Sequence, residues 1–256
     1  MHTPPILLTM TAVAAGCGGA AAGTAHSGRT SSTRATAAAS ATSTPLPPAL
    51  PSRREFAHEV NNAWFPLKPG AVLTYRGESD GTPATDVFRV TSRHKRILGI
   101  EATVVDDHVI THGRVSERTA DYYAQDLVGN VWYLGEDTAT LKPNGTVESR
   151  SGTFRAGVKG AKAGIFMPAQ PQAGAGGYQE YYPGHAQDKF VVLNLHTHVK
   201  TPAASSDEAM TTQETTPLEP GVVDHKIYVR GVGTVREETI QGGNERYRLV
   251  SARIPR

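Results

Sequence analysis

His196 and His198 are the pair of residues best spaced to bind a metal. On an extended segment, residues i and i+2 share a face, and two imidazoles on one face can share a zinc ion. No third ligand is marked by spacing, and Val191, Leu193, Leu195 and Val199 form an apolar face opposite the two histidines. Both imidazoles are therefore expected to be exposed and to ligate nothing. His108 and His112 offer no better arrangement. The paired acids Asp106-Asp107 and Glu136-Asp137 read as solvated turn residues at strand ends. Glu237 and Glu238 would point to opposite faces of one strand, so they form no dyad. A Gly-x-Ser-x-Gly elbow and a His-Glu-x-x-His helix are both absent. The glycines of 174–177 lack the strand and helix that frame a phosphate loop. The residues thus point away from an enzyme, and no metal or cofactor is implied.

Binding has better candidates. Tyr178, Glu180, Tyr181, Tyr182 and His185 form the densest polar and aromatic cluster. Tyrosine combines apolar area with a polar tip, which suits the rim of a binding site. The same rings could instead staple a long loop to a sheet. His225 alternates with Val223, Ile227 and Val229 on an apolar face. It reads as a core histidine with a hydrogen-bond partner, or as the polar floor of a ligand pocket. Tyr178, Glu180, Tyr181, Tyr182 and His225 are the candidate ligand-binding residues.

These side chains need a scaffold, and the pattern that would build it has period two. Val72-Leu73-Thr74-Tyr75-Arg76, Val87-Phe88-Arg89-Val90-Thr91, 97–105, 109–118, 190–200, 208–215, 222–230, 234–240 and 246–254 read as strands. The runs 97–105 and 109–118 would pair across Asp106-Asp107, and Tyr122-Tyr123-Ala124 would pair with Val131-Trp132-Tyr133-Leu134 across a turn at 126–130. Of Trp132 and Tyr133, one is expected in the core and the other at the surface. A short helix is expected at 55–61. Residues 152–188 show no period and would pack as a long flap over the sheet. With no βαβ rhythm, the expected fold class is mainly β: a single domain whose antiparallel meander forms a strongly curved sheet or half-barrel, with at most one or two short helices and a long central loop.

The lone cysteine, Cys17, sets the expected location. It follows a short apolar run and Ala15-Gly16, the order of a bacterial lipoprotein export signal. Residues 1–16 read as a signal peptide and 17–52 as a disordered tether of Ala, Ser, Thr and Pro with a lipid on Cys17. The folded domain is expected over 55–256. The lipidation signal departs from its usual form at Ala14, where leucine is common, so ordinary secretion is the alternative. One cysteine permits no intramolecular disulfide. The formal net charge of +2 comes partly from tether arginines, and no basic stripe stands out, so no nucleic-acid partner is expected.

Several phrases of the domain resemble a family of bacterial, mostly actinobacterial, exported proteins and lipoproteins. They are Asn62-Ala63-Trp64-Phe65-Pro66-Leu67-Lys68-Pro69-Gly70, Asp121-Tyr122-Tyr123-Ala124-Gln125-Asp126, Gly129-Asn130-Val131-Trp132-Tyr133-Leu134-Gly135-Glu136, Tyr181-Tyr182-Pro183-Gly184, Thr216-Pro217-Leu218-Glu219-Pro220-Gly221 and Gly231-Val232-Gly233. More distantly, the chain is similar to DUF3108-type and lipoprotein-carrier-like proteins, whose curved sheet wraps a hydrophobic cavity. That resemblance implies an apolar or amphipathic ligand in the concavity, and membrane contact through the lipid. The alternative is an interaction module with a packed interior that contacts another envelope protein.

Overall fold

The computed structural model describes residues 46–79 and 81–255. Cys17, the signal peptide and most of the expected tether lie outside them. The chain forms β1 (Val72–Ser79), β2 (Thr82–Ile97), β3 (Ile100–Thr111), β4 (Arg114–Gln125), β5 (Val131–Leu141), β6 (Val147–Ser149), β7 (Phe154–Arg155) and β8 (Lys162–Met167). It continues through β9 (Gly176–Tyr178), β10 (Glu180–Tyr181), β11 (Lys189–Lys200), β12 (Ser205–Thr215), β13 (Val223–Val229), β14 (Gly233–Gln241) and β15 (Arg246–Arg253). All pairings are antiparallel, in the order β10-β8-β5-β4-β3-β2-β1-β15-β14-β13-β12-β11-β9. This is the curved meander that the period-two pattern predicts, carried nearly to a closed barrel.

Closure falls in the central segment expected to be a flap. β9 and β10 are separated by Gln179 alone. β9 pairs with β11 and β10 pairs with β8, so one extended run joins the two ends of the sheet. Backbones crowd there, and glycine admits them. A Cβ on Gly164 would lie 2.1 Å from the Tyr178 carbonyl oxygen, and one on Gly176 would lie 2.1 Å from that of Phe190. Strands of two or three residues are too short to show a period, which is why 152–188 reads as loop.

Two hairpins turn on Leu98-Gly99 and His112-Gly113, where all four residues have positive φ of 51° to 79°. Both central residues of a two-residue type I′ turn need that conformation. Asp106-Asp107 is therefore not a turn. It lies in the middle of β3, paired with β2 and β4. Glu136-Asp137 is likewise mid-strand in β5. The hairpin across 126–130 does form, with Asp126 Oδ1 accepting from the backbone N–H of Gly129 and Asn130 at 2.8 and 2.9 Å.

The expected helix at 55–61 reduces to one 3-10 turn, Arg53–Glu55. Extended pairing displaces it, because Ala57 N–H donates to the Gln125 carbonyl and Gln125 Oε1 accepts from the N–H of Asn61 and Asn62. Asn62 then folds the chain into a stopper. Its Oδ1 accepts from Trp64 and Phe65 N–H, and its Nδ2 donates to the carbonyls of Gly129 and Pro168. Phe65 enters the barrel, with ring centroids 5.1 Å from Tyr123 and 4.5 Å from Phe166.

The sheet buries apolar residues on both faces. The inner cluster includes Leu73, Phe88, Val105, Tyr123, Tyr133, Phe166, Val192 and Leu249. A second cluster, Ile97, Ile100, Val104, Tyr122, Trp132 and Leu134, coats the outside of β3–β5 and is covered by Leu50 and Phe56. Trp132 and Tyr133 do face opposite ways, yet both are buried, so neither is a surface aromatic. Leu50, assigned to the tether, packs on the fold.

Candidate functional site

The inner wall carries an unusual density of acid. Asp86 on β2, Asp107 on β3, Glu117 and Asp121 on β4, Glu136 on β5, Glu180 on β10, Glu214 on β12 and Glu237 on β14 are all buried, with Asp188 just before β11. Lys226 on β13 is buried among them, its Nζ 2.8 Å from Glu214 and 3.5 Å from Glu237. Alternation puts them inside. On β2, Ala84, Asp86, Phe88 and Val90 point inward, and Asp107 shares its face with Val105 and Val109.

Isolated charges buried this way would cost many kcal/mol, so burial pushes the carboxyls toward the neutral form. Burial lifts Asp107, Glu117, Asp121, Glu136 and Glu180 well above the carboxylate range, and neighbouring carboxylates add to it. Asp86 and Asp188 are pushed up to about 7 and Glu237 to about 8, chiefly by burial. Asp86 and Asp107 lie within hydrogen-bonding reach of each other and can share a proton. Burial disfavours the charge on Lys226, but Glu214 and Glu237 outweigh it and hold the ammonium above its usual range.

Hydroxyls pair with some of these acids. Tyr133 Oη donates to Asp121 at 2.6 Å, and Tyr228 Oη donates to Glu214 at 3.3 Å. Tyr75 Oη donates to the Thr234 carbonyl at 2.9 Å. Proton sharing between carboxyls is chemistry this arrangement can do. The surface pockets around Arg76, around Arg53 and around Phe154 are lined by other residues than Asp86 and Asp107.

The expected site residues are dispersed. Glu180 joins the inner acids, fully buried. Tyr178 and Tyr181 are half-buried at the seam, edge to face at 5.0 Å, and Lys162 lies over Tyr181 at 5.8 Å. Tyr182 packs on the inner cluster and stacks on the exposed His185 at 4.2 Å. His225 is not on the core face, because β13 turns Lys226 and Tyr228 inward. The phase of β11 is also reversed at its start, where Phe190 and Val192 are buried while Val191 and Leu193 are each 39% exposed. His196 and His198 are exposed as expected, each 2.5 Å from a carboxylate, Glu208 and Asp207. Among the described residues, no group of three or more His, Cys, Asp or Glu is arranged to hold a metal ion.

Lys226, Asp107 and Glu136 escaped the sequence reading because charged residues on a strand read as solvent-facing. The available signal was Lys226 between acids on predicted neighbouring strands.

No family model and no curated protein matches the chain. Two solved structures resemble it. One is a protein described as exported, with a YmcC-like fold, from Bacteroides fragilis: TM-score 0.44, 14% identity, covering 75% of this chain and 99% of that one. The other is described as a lipoprotein from Parabacteroides distasonis: TM-score 0.39, 11% identity, covering 74% and 97%.

Proposed function

We propose that this chain is a non-enzymatic binding module of the cell envelope, held to the membrane by a lipid on Cys17, that recognises its partner with its outer surface. One observation carries the reading: the concavity is occupied by the protein itself. Phe65, Tyr123, Tyr133 and Phe166 fill its apolar part with rings in mutual contact. The rest of the inner wall interleaves packed aliphatic residues such as Leu73, Val105, Val192 and Leu249 with carboxyl groups around Lys226. An apolar tail would have to displace those rings or lie against acids, whose desolvation it cannot offset. The competing reading, an apolar or amphipathic ligand in the concavity, requires the Asn62–Leu67 stopper to leave.

The full chain carrying Cys17→Ala, purified gently from its native host, separates the two. Solvent extraction and mass spectrometry are expected to release no stoichiometric lipid. One bound lipid per chain would overturn the outer-surface reading. The same variant tests the anchor, since it is expected in the soluble fraction. Persistent membrane association would remove lipidation from the account.

A further inference from the structure

Strand register assembles a basic row on the outer wall that no stretch of sequence displays. Arg76 on β1 stands directly opposite Arg248 on β15, which stands directly opposite Arg236 on β14. With neighbouring strands about 4.8 Å apart, the row is about 10 Å long. Like charges directly opposed across strands destabilise a sheet. Other directly opposed charges on the outer wall have opposite sign: Arg89 with Asp106, Arg96 with Glu101, and Arg246 with both Glu78 and Glu238. Arg236 is relieved by Glu238 at 2.5 Å. Arg76 and Arg248 form no ion pair among the described residues. Guanidinium does not deprotonate in proteins, so the repulsion stays unless an anion arrives.

The row is also one wall of a groove. Lys200 and Thr201, at the end of β11, line the same concavity, whose volume is about 530 Å³. Its charged lining is Arg76, Arg236, Arg246, Arg248 and Lys200 against Glu78 and Glu238. Resting on the outer-surface reading above, we propose that this groove binds a linear polyanion of the cell envelope that repeats phosphate groups along its chain. Guanidinium forks match phosphate oxygens in pairs. A line of guanidiniums fits a chain that repeats its charge better than a single phosphate. The concavity, walled by Lys200, admits a strand of polymer better than the flat face of a bilayer.

The test titrates the full chain carrying Cys17→Ala with short-chain polyphosphate, inorganic phosphate, and phosphatidylcholine vesicles with and without phosphatidylglycerol. Polyphosphate is expected to bind, and more tightly than inorganic phosphate. Arg76→Ala/Arg248→Ala is expected to weaken it about tenfold or more and to flatten its salt dependence by about one unit of log–log slope per arginine removed. Arg150→Ala, an exposed arginine outside the groove, is expected to change little. The double variant should melt no lower than the parent, which separates lost binding from lost folding. Equal binding by parent and double variant, or inorganic phosphate binding as tightly as the polymer, would overturn the proposal. So would vesicle binding without polyphosphate binding, which would assign the groove to an anionic membrane surface. Stoichiometric lipid in the extract would defeat the outer-surface reading itself, whereas a lipid-free interior with no polyphosphate binding defeats only this ligand class.

Discussion

The two walls of the barrel both place like charges face to face, and they resolve the conflict differently. Inside, Asp121 opposes Glu136. Outside, Arg76, Arg248 and Arg236 stand in line. A buried carboxyl can take up a proton and become a hydrogen-bond donor, so the inner wall neutralises itself within the fold. A guanidinium has no such exit, so the outer row stays charged and keeps its attraction for anions. The same register rule thus yields a folding core on one side and a recognition surface on the other.

The sharpest way to break that comparison is to remove the inner cation Lys226. Lys226→Met leaves Glu214 and Glu237 buried without it. Unfolding by denaturant is expected to show a loss of about 3–5 kcal/mol. The loss should be smaller at low pH, where Glu237 takes up a proton. A loss below about 1 kcal/mol would mean that the ion pair holds little.

Next in size is the pH profile of the parent. Asp86 and Asp188 titrate near 7 and Glu237 near 8 in the fold, against about 4 in the unfolded chain. Between those values the folded state holds more protons. The stabilisation is therefore complete below about 4 and is lost as pH rises through 7 to 8. Exposed Glu55 and Glu101 are shifted down, by Ser52 and by Arg96 hydrogen bonds respectively, and act in the opposite sense. They are solvated, so their share is small. Thermal melts are expected to fall from mildly acidic to mildly alkaline pH, and Asp86→Asn should flatten the decline. A stability that rises over that range would contradict a protonated interior.

The smallest effect belongs to the outer wall. Arg248→Ala removes the middle of the row and is expected to leave stability unchanged or raise it by about 0.2–1 kcal/mol. A clear drop in melting temperature would show that Arg248 is held by favourable contacts, and the contrast between the walls would fail.

Much of the scaffold is legible in the sequence, and little of either wall is. Strands such as Val72–Ser79 and the hairpin around Asp126 follow from alternation and turn chemistry. The turns at Leu98-Gly99 and His112-Gly113 do not, because only their glycines signal positive φ. β11 and β13 carry apolar residues on both faces, so Val191 and His225 fall on the wrong side when apolar is equated with inside. That rule also conceals an acid-lined interior, whose carboxyls look like solvated residues until their partners across the sheet are known. The arginine row joins position 76 to positions 236 and 248, and only register can bring them together.

The central claim is that Asp107, Glu117, Asp121, Glu136 and Glu180 are neutral in the folded protein near neutral pH, and infrared spectroscopy reads this directly. The carbonyl stretch of protonated carboxylic acid is expected in the folded chain at neutral pH, reduced in Asp107→Asn and abolished on unfolding. A folded protein at neutral pH that shows only ionised carboxylate bands would contradict the account.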